Sequence, residues 1–286
     1  MKNNGLILQY YAVFYLDILN QREKIKEISE IPKTEEEKKL ALEKMRGSYG
    51  LIIQIRDAIN SLISMLNQRS VETPKEYHGM IGEIEGNPLR VHRIGDAFAI
   101  YFPLGSEKGK IAIFGVNKLM MAAAGIHLMS LSIGVPVRGS IAIGLCMEIG
   151  ENELYGPALV RAYDIEQRDA EWMRVVVDPS VVEFINDYNL SDKGMIPQTV
   201  PDKIGSYLHD SCVEFIEIDH DGRYILDFLQ PESLRNIPES EAVIKAAKKF
   251  LNQEYKRFKE TGHDSTNAAR IAHKYKMTLD YFIAHT

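Results

Sequence analysis

The N-terminal segment, residues 6–19 (LILQYYAVFYLDIL), constrains the fold more than any other part of the sequence. Its aromatic and β-branched side chains favour a buried strand, and the strand carries an acidic residue, Asp17, close to its C-terminal end. A buried strand belongs to a covered sheet, so we predict a sheet packed against helices. Gln9, three tyrosines and Asp17 interrupt the apolar run and no small-residue cleavage site follows, so we do not expect a signal peptide.

The next helices and strands are predicted from the spacing of apolar residues. Residues 22–67 carry many charges with apolar residues at helical spacing, and Pro32 divides them into two predicted helices. Residues 89–102 alternate on both sides of Gly95-Asp96, which predicts a β-hairpin with Asp96 at its tip. Further along, we expect a helix over 116–133, a strand over 135–145, a helix from Gly156-Pro157 and a strand over 172–177.

Beyond Asp178 the patterns are weaker. Short strands are predicted over residues 212–218 and 224–228, on either side of an Asp-His-Asp-Gly turn, and the chain is helical from residue 239. This order of elements predicts an α/β fold, an α+β sandwich in which helices flank a mixed sheet. We assign residues 1–235 to one domain and residues 236–286 to a helical C-terminal extension packed on the same domain.

Composition and charge disfavour several classes of protein. The net charge of −6 and the pI near 5.8 are unlike those of nucleic-acid-binding domains, which carry a basic excess. The sequence lacks the run of about 18 apolar residues that a membrane-spanning helix needs. Cys146 and Cys212 do not form a C-x-x-C pair, so a disulfide framework or a zinc site has no support. We expect a soluble, cytoplasmic protein with no nucleic-acid or membrane partner.

Two acidic residues follow chain reversals beside the predicted sheet, namely Asp17 after the first strand and Asp96 at the hairpin tip. Adjacent strand ends would bring their carboxylates together, and the repulsion between them would be relieved by a divalent cation that prefers oxygen ligands. Mg²⁺ and Mn²⁺ are the natural candidates. The alternative is that both residues are ordinary solvated turn residues.

Sequence blocks around these aspartates carry a family resemblance. The blocks are FYLDIL (14–19), RIGDAF (93–98), VRGSIAIG (137–144), LYGPAL (154–159), Ala162-Tyr163 and Glu166. In this order they resemble the class III nucleotidyl cyclases, whose metal-binding strand and hairpin are similar to the first two blocks. The later blocks, the Asp-His-Asp-Gly turn and Lys274-Tyr275 are most similar to the Pycsar pyrimidine cyclases of bacterial antiphage defence. The resemblance extends over almost the whole chain.

The resemblance implies a homodimer with active sites at the interface, in which one subunit supplies Asp17 and Asp96 and the other the helix that begins at Gly156. The 3′-hydroxyl of a nucleoside triphosphate would attack its own α-phosphorus to give a 3′,5′-cyclic monophosphate and pyrophosphate. Asp17, Ile18 and Asp96 would hold two Mg²⁺ or Mn²⁺ ions. Cyclic UMP or cyclic CMP would then signal to a separate effector protein. The backbone around the β- and γ-phosphates would be that of Ile18, Leu19, Asn20 and Gln21.

Departures from the family pattern bear on the substrate. Val160 and Asp164 stand where purine cyclases carry an Asn and an Arg that stabilise the transferring phosphoryl group, which disfavours cyclic AMP synthesis. A pyrimidine cyclase and a catalytically silent module remain open, with a purine cyclase as a further alternative. Arg138 and Arg161 could replace the missing arginine of the purine cyclases, and Arg174 is a third candidate. The alternative is that each of these arginines forms a structural ion pair.

Two positions would contact the base. His92 stands where adenylyl cyclases place a lysine, and Glu153 where they place an aspartate. A neutral histidine both donates and accepts hydrogen bonds, so His92 would suit the edge of uracil or cytosine without distinguishing them. The alternative for His92 is a sheet residue whose hydrogen bonds are satisfied within the protein.

Overall fold

A computed structural model describes residues 7–19, 21, 31–68, 88–105, 112–150, 152–189, 202–235, 237–261 and 266–286. The strands are β1 (Gln9–Ile18), β2 (Arg90–Ile94), β3 (Ala97–Gly105), β4 (Val137–Gly150), β5 (Glu153–Tyr155), β6 (Val175–Val177), β7 (Ile216–Ile218) and β8 (Tyr224–Leu226). The helices are α1 (Glu35–Gln68), α2 (Ala112–Ser132), α3 (Pro157–Asp169), α4 (Pro179–Asn189), α5 (Asp202–Glu214), α6 (Pro231–Arg235), α7 (Ser240–Thr261) and α8 (Thr266–His285).

One mixed sheet organises these elements, with the strand order β2-β3-β1-β4-β6-β8-β7 and β5 paired with β4. β1 lies between β3 and β4 and is antiparallel to both, whereas β6 runs parallel to β4. The helices on this sheet confirm the predicted α/β sandwich.

Both faces of β1 are covered, which explains its apolar sequence. Phe14 and Leu16 belong to the larger core, which includes the C-terminal half of α1 and much of α2. Val13 and Tyr15 point to the opposite face, where they form a smaller core with side chains of α3 such as Ala162. The sheet therefore carries a thick helical layer on one face and α3 on the other.

The predicted helix over 116–133 corresponds to α2. Residues 113–132 are long and apolar enough to cross a membrane, but 89% of the apolar window lies buried inside the protein. The core of the sandwich therefore accounts for the apolar character of this helix.

The N-terminus of α1 shows how local sequence sets an element boundary. Thr34 and Glu37 form a reciprocal cap, in which Glu37 N–H donates to Thr34 Oγ1 at 3.2 Å and Thr34 N–H donates to Glu37 Oε2 at 3.1 Å. The second of the two helices predicted within residues 22–67 is thus α1. The first falls on residues 22–30, outside the described residues.

Two strands predicted in the second half of the chain were wrong in part, and one helix was not predicted. Residues 212–214 belong to α5, not to a strand, because Leu208, Cys212 and Phe215 form a buried stripe at helical spacing. The strand over 172–177 begins only at Val175. No helix was predicted over α4, although Asp178 accepts a hydrogen bond from Ser180 N–H at 2.9 Å and a proline at the first helical position follows it.

The C-terminal helices α7 and α8 pack against each other, and α7 also packs on α2. Tyr281 and Phe282 of α8 contact Phe228, so aromatic residues of the last helix join the larger core. The division of the chain at residue 235 stays a prediction.

Candidate active site

Pairing of β1 with β3 brings Asp17 and Asp96 to the same end of the sheet. Leu16 pairs with Phe98, so Asp17 lies one residue beyond this pair, next to the turn that holds Asp96. The Asp17 side chain is 21% exposed. Burial and, after it, the nearby charge of Asp96 raise the pKa of Asp17 to about 6.

A divalent cation fits this pair of carboxylates. Burial and mutual repulsion both disfavour the charged form of Asp17, and a hard cation with oxygen ligands would relieve both. The N–H of Ile18 donates to the Asp17 carboxylate, and Ile18 pairs with Val137 on β4. Asp17 and Asp96 supply the charged oxygens here, and Ile18, the third predicted ligand, directly follows Asp17 in β1.

Arg138 connects this pair to a second buried acid. It lies opposite Asp17 in the β1–β4 register, with its Nη2 3.9 Å from Asp17 Oδ2. Its Nε pairs with the carboxylate of Glu166 on α3, and its Nη1 donates to the carbonyl of Ala170 at 3.3 Å. The guanidinium therefore lies within ion-pair distance of two carboxylates.

Glu166 has no exposed side-chain surface. Burial raises its pKa to about 7, Arg138 opposes that rise and Asp17 adds to it. Lys274 of α8 lies near the same charges, and burial together with Arg138 lowers the pKa of its ammonium group. The C-terminal helix thus brings a cation to the surroundings of Arg138.

We did not predict a site role for Glu166 or Lys274. A signal for Glu166 was present, because the buried positions of α3 are Ala158, Ala162, Ile165, Glu166 and Asp169. This spacing gives one face of a helix, and two acids on a buried face require cationic partners. Lys274 offered no comparable signal, since its neighbours come from distant parts of the chain.

Arg174, the third candidate cation, is committed to a structural network. Its side chain is 1% exposed and pairs with both Asp219 and Asp221 of the turn between β7 and β8. It also donates to the carbonyl of Asp169 at 2.6 Å. These contacts favour the structural ion pair over a catalytic role.

Arg161 has a different acidic partner from Arg138. Its Nη1 is 3.7 Å from Asp178 Oδ1 and its side chain is 51% exposed. It lines an open cavity of about 700 Å³ together with Tyr155, Val160, Asp164 and Arg168. Val160 and Asp164, the positions that depart from the purine-cyclase pattern, therefore line this cavity together with Arg161.

The two base-contacting candidates lie on different strands, and Glu153 lies away from Asp17. His92 pairs with Ala99 on β3, and its Nδ1 is buried with no hydrogen-bond partner among the residues that the structure describes. Glu153 is exposed on β5 and pairs with Gly150, at the end of β4 remote from Arg138. Most of the length of β4 separates Glu153 from Asp17, so one chain does not bring them together.

The predicted phosphate-contacting backbone is partly engaged in other bonds. Leu19 N–H donates to Pro136 O at 2.9 Å. Gln21 is buried, and its Oε1 accepts a hydrogen bond from Ser48 at 2.7 Å. Asn20 lies outside the described residues. The backbone N–H of Leu19 is therefore already hydrogen-bonded within the protein and is not available to a phosphate.

No protein-family model and no curated protein matches the chain. Among solved structures, it is similar to a class III adenylyl cyclase-like ATP-binding protein from Pseudomonas aeruginosa, with 11% identity over 87% of this chain and 44% of that chain, at a TM-score of 0.44. A bacterial light-regulated adenylyl cyclase shows 14% identity over 63% of this chain and 46% of that chain, at a TM-score of 0.38.

A further structure of a bacterial light-regulated adenylyl cyclase shows 11% identity over 85% of this chain and 59% of that chain, at a TM-score of 0.41. The chain thus spans about half the length of the structures that it matches. Likeness at this level of identity and TM-score says nothing about activity, substrate or assembly.

Proposed function

We propose that the chain is a nucleotide cyclase that converts UTP or CTP to the 3′,5′-cyclic monophosphate and pyrophosphate. The observation that carries this proposal is the pair of interacting carboxylates, Asp17 and Asp96, at one end of the sheet, with Arg138 beside them. The resemblance of the surrounding sequence blocks to class III cyclases supports the same reaction. The departures at Val160 and Asp164 support a pyrimidine rather than a purine substrate.

Asp17, Asp96 and the carbonyl of Ile18 would hold Mg²⁺ or Mn²⁺, which when bound lowers the pKa of a hydroxyl and neutralises phosphate charge. Strand pairing and Arg138 position this acidic pair. The β1–β3 register places the two aspartates together, and Arg138 limits the repulsion among Asp17 and Glu166. In the reaction, the 3′-oxygen bonds to the α-phosphorus, the bond to the pyrophosphate oxygen breaks, and the hydroxyl proton passes to water.

The proposal includes a homodimer, because Glu153 lies most of the length of β4 away from Asp17 in one chain. A second subunit would bring α3, with Arg161 on it, to the triphosphate bound at the aspartates. His92, whose Nδ1 has no hydrogen-bond partner among the described residues, would contact the base. By the same resemblance, the product would act on a separate effector in antiphage signalling.

The test is incubation of the purified chain with each of the four ribonucleoside triphosphates and Mn²⁺, followed by chromatographic separation of the products. We expect cyclic UMP or cyclic CMP together with an equal amount of pyrophosphate. Absence of a cyclic product from every nucleotide would contradict the proposal, and a purine product alone would reject the pyrimidine assignment.

A catalytically silent nucleotide-binding module is the second candidate. One observation favours it: among the described residues, Arg138, Arg161 and Arg174 each already lie within ion-pair distance of a carboxylate of the same chain. A cation bound in this way is less available to a phosphoryl group. Such a module would bind a non-hydrolysable UTP or CTP analogue, or nothing, and would show no turnover in the same assay.

A further inference from the structure

A second group of possible metal ligands lies where α8 meets the edge of the sheet. Glu217 comes from β7, Asp227 directly follows β8, and His285 is the last residue of α8. One ligand atom from each of these residues lies within 4.8 Å of the others. Residues distant in sequence thus place an imidazole and two carboxylates around one point.

The hydrogen bonds of His285 determine which ring nitrogen faces this point. Nδ1 lies 2.8 Å from the carbonyl oxygen of Tyr281, and a carbonyl only accepts, so Nδ1 carries a proton. In the neutral ring, Nε2 then has a lone pair, yet it lies 3.0 Å from Glu217 Oε2. With this tautomer, Nε2 and the Glu217 carboxylate both direct lone pairs toward the space they share, and a metal ion bound by both groups would satisfy them.

Asp227 is oriented by groups outside the cluster. Tyr281 Oη donates to Asp227 Oδ1 at 2.5 Å, and the N–H of Leu229 donates to the same oxygen at 3.0 Å. The Tyr281 ring also stacks on the His285 ring, with centroids 4.1 Å apart. Outer groups that fix the tautomer of a histidine and the orientation of a carboxylate are typical of metal centres.

We propose that Glu217, Asp227 and His285 bind one divalent transition-metal ion, for which Zn²⁺ is the best match. One imidazole nitrogen and two carboxylate oxygens suit Zn²⁺ better than Mg²⁺, which prefers oxygen ligands and retains several waters. The His285 and Glu217 side chains are 22% and 41% exposed, so the ion exchanges with solvent and keeps room for a water ligand. The ion would join α8 to the β7–β8 hairpin, independently of the site at Asp17.

The test is calorimetric titration of the tag-free full chain with ZnCl₂, carried out in the Asp17→Asn/Asp96→Asn variant so that the other acidic pair contributes little. We expect one Zn²⁺ per chain and an increase in the midpoint of thermal unfolding when it binds. His285→Ala should weaken this binding at least about tenfold. The matched control is His273→Ala, because His273 is exposed on the same helix and should leave the affinity unchanged.

Glu217→Gln provides a second variant, since the amide keeps the shape of the side chain and loses its charge. It should also weaken Zn²⁺ binding while circular dichroism shows the fold retained. Zinc binding that survives both His285→Ala and Glu217→Gln would overturn the proposal. So would the absence of stoichiometric Zn²⁺ binding to the Asp17→Asn/Asp96→Asn chain.

Discussion

Arg138 is the residue on which the charge state of the candidate active site most depends. It lies between Asp17 and Glu166, and burial raises the pKa of both acids toward neutrality. The Arg138 side chain is 15% exposed, so water could compensate little of the positive charge if the side chain were removed. Loss of this cation would leave Glu166 buried without its closest counter-charge.

We therefore predict that Arg138→Met lowers the free energy of unfolding by about 3 kcal/mol, because it removes one partner of a buried ion pair. Urea denaturation at pH 7 measures this change. The double variant Arg138→Met/Glu166→Gln should recover most of the loss, since the uncompensated buried charge is then absent.

Arg56→Met serves as the control for Arg138→Met. Arg56 forms an exposed ion pair with Asp57, so its removal should change stability by less than about 1 kcal/mol. Equal effects of the two methionine variants would show that Arg138 does not compensate a buried charge.

At the scale of single elements, β4 must approach β1 closely at Gly139. A Cβ at this position would lie 2.7 Å from the carbonyl oxygen of Tyr15 and 2.7 Å from the Phe14 ring. A Cβ at Gly144 on the same strand would meet Ala158 at 3.4 Å, an ordinary contact. The close approach at Gly139 sets the β1–β4 spacing beside the Asp17–Arg138 pair.

From this difference we predict that Gly139→Ala destabilises the protein by about 2 kcal/mol through overpacking, whereas Gly144→Ala costs less than about 1 kcal/mol. Thermal and urea unfolding of the two variants measure the difference. A Gly139→Ala variant as stable as Gly144→Ala would mean that the strands separate without cost at this point.

The core helix α2 carries a titratable group, His127, whose ring is fully buried. Burial lowers its pKa from 6.5 to about 4, and its hydrogen bond to Met173 O at 3.1 Å opposes the shift only in part. The unfolded chain therefore binds the proton at a higher pH than the folded chain. Between pH 6.5 and 4 the free energy of unfolding falls as the pH is lowered.

His127→Gln keeps an N–H donor but removes the titration. In wild type, the titration of His127 should lower the free energy of unfolding by on the order of 3 kcal/mol between pH 6.5 and 4, and this decrease should be absent in His127→Gln. Urea unfolding at several pH values between 4 and 7.5 measures it, and His273→Gln, at an exposed position of α8, is the control. Parallel pH profiles for wild type and His127→Gln would refute this prediction.

At the scale of the whole molecule, the sequence predicted what depends on local pattern. The β1 strand, the hairpin at Gly95-Asp96 and the amphipathic or apolar helices all carry a clear period, and the structure contains them. Asp17 and Asp96 were predictable as neighbours because each marks the end of a strand. The wrong assignment at Cys212 arose where a short apolar run fits either a helix or a strand.

Contacts between distant segments could not be predicted in this way. Lys274 approaches Arg138 only because α8 packs back on the domain, and Arg174 meets Asp219 only through the order of β6, β8 and β7. Neither approach leaves a periodic signal in the sequence. The burial of an arginine can be anticipated from the strands and helices that flank it. Its ion-pair partners cannot, because they depend on the order of the strands in the sheet.

The proposed homodimer predicts that the exposed side of α3 lies in an interface. Val160 is 57% exposed and Tyr155 65% exposed on this side. Val160→Asp should therefore weaken self-association at least about tenfold in sedimentation velocity experiments. Ile53→Asp on α1, on the opposite face of the sheet, is the control and should leave association unchanged. A monomeric wild type, or a dimer indifferent to Val160→Asp, would contradict this arrangement.

The proposed function requires Asp17 and Asp96 to form together a catalytic metal site for nucleotide cyclisation. The most direct measurement is the Mn²⁺-dependent rate of cyclic nucleotide formation from UTP and CTP by wild type, Asp17→Asn, Asp96→Asn and the exposed control Asp187→Asn. We predict that wild type and Asp187→Asn react alike, while each of the other two variants loses at least about 100-fold in rate. Equal rates for all four proteins, whether measurable or zero, would contradict the account.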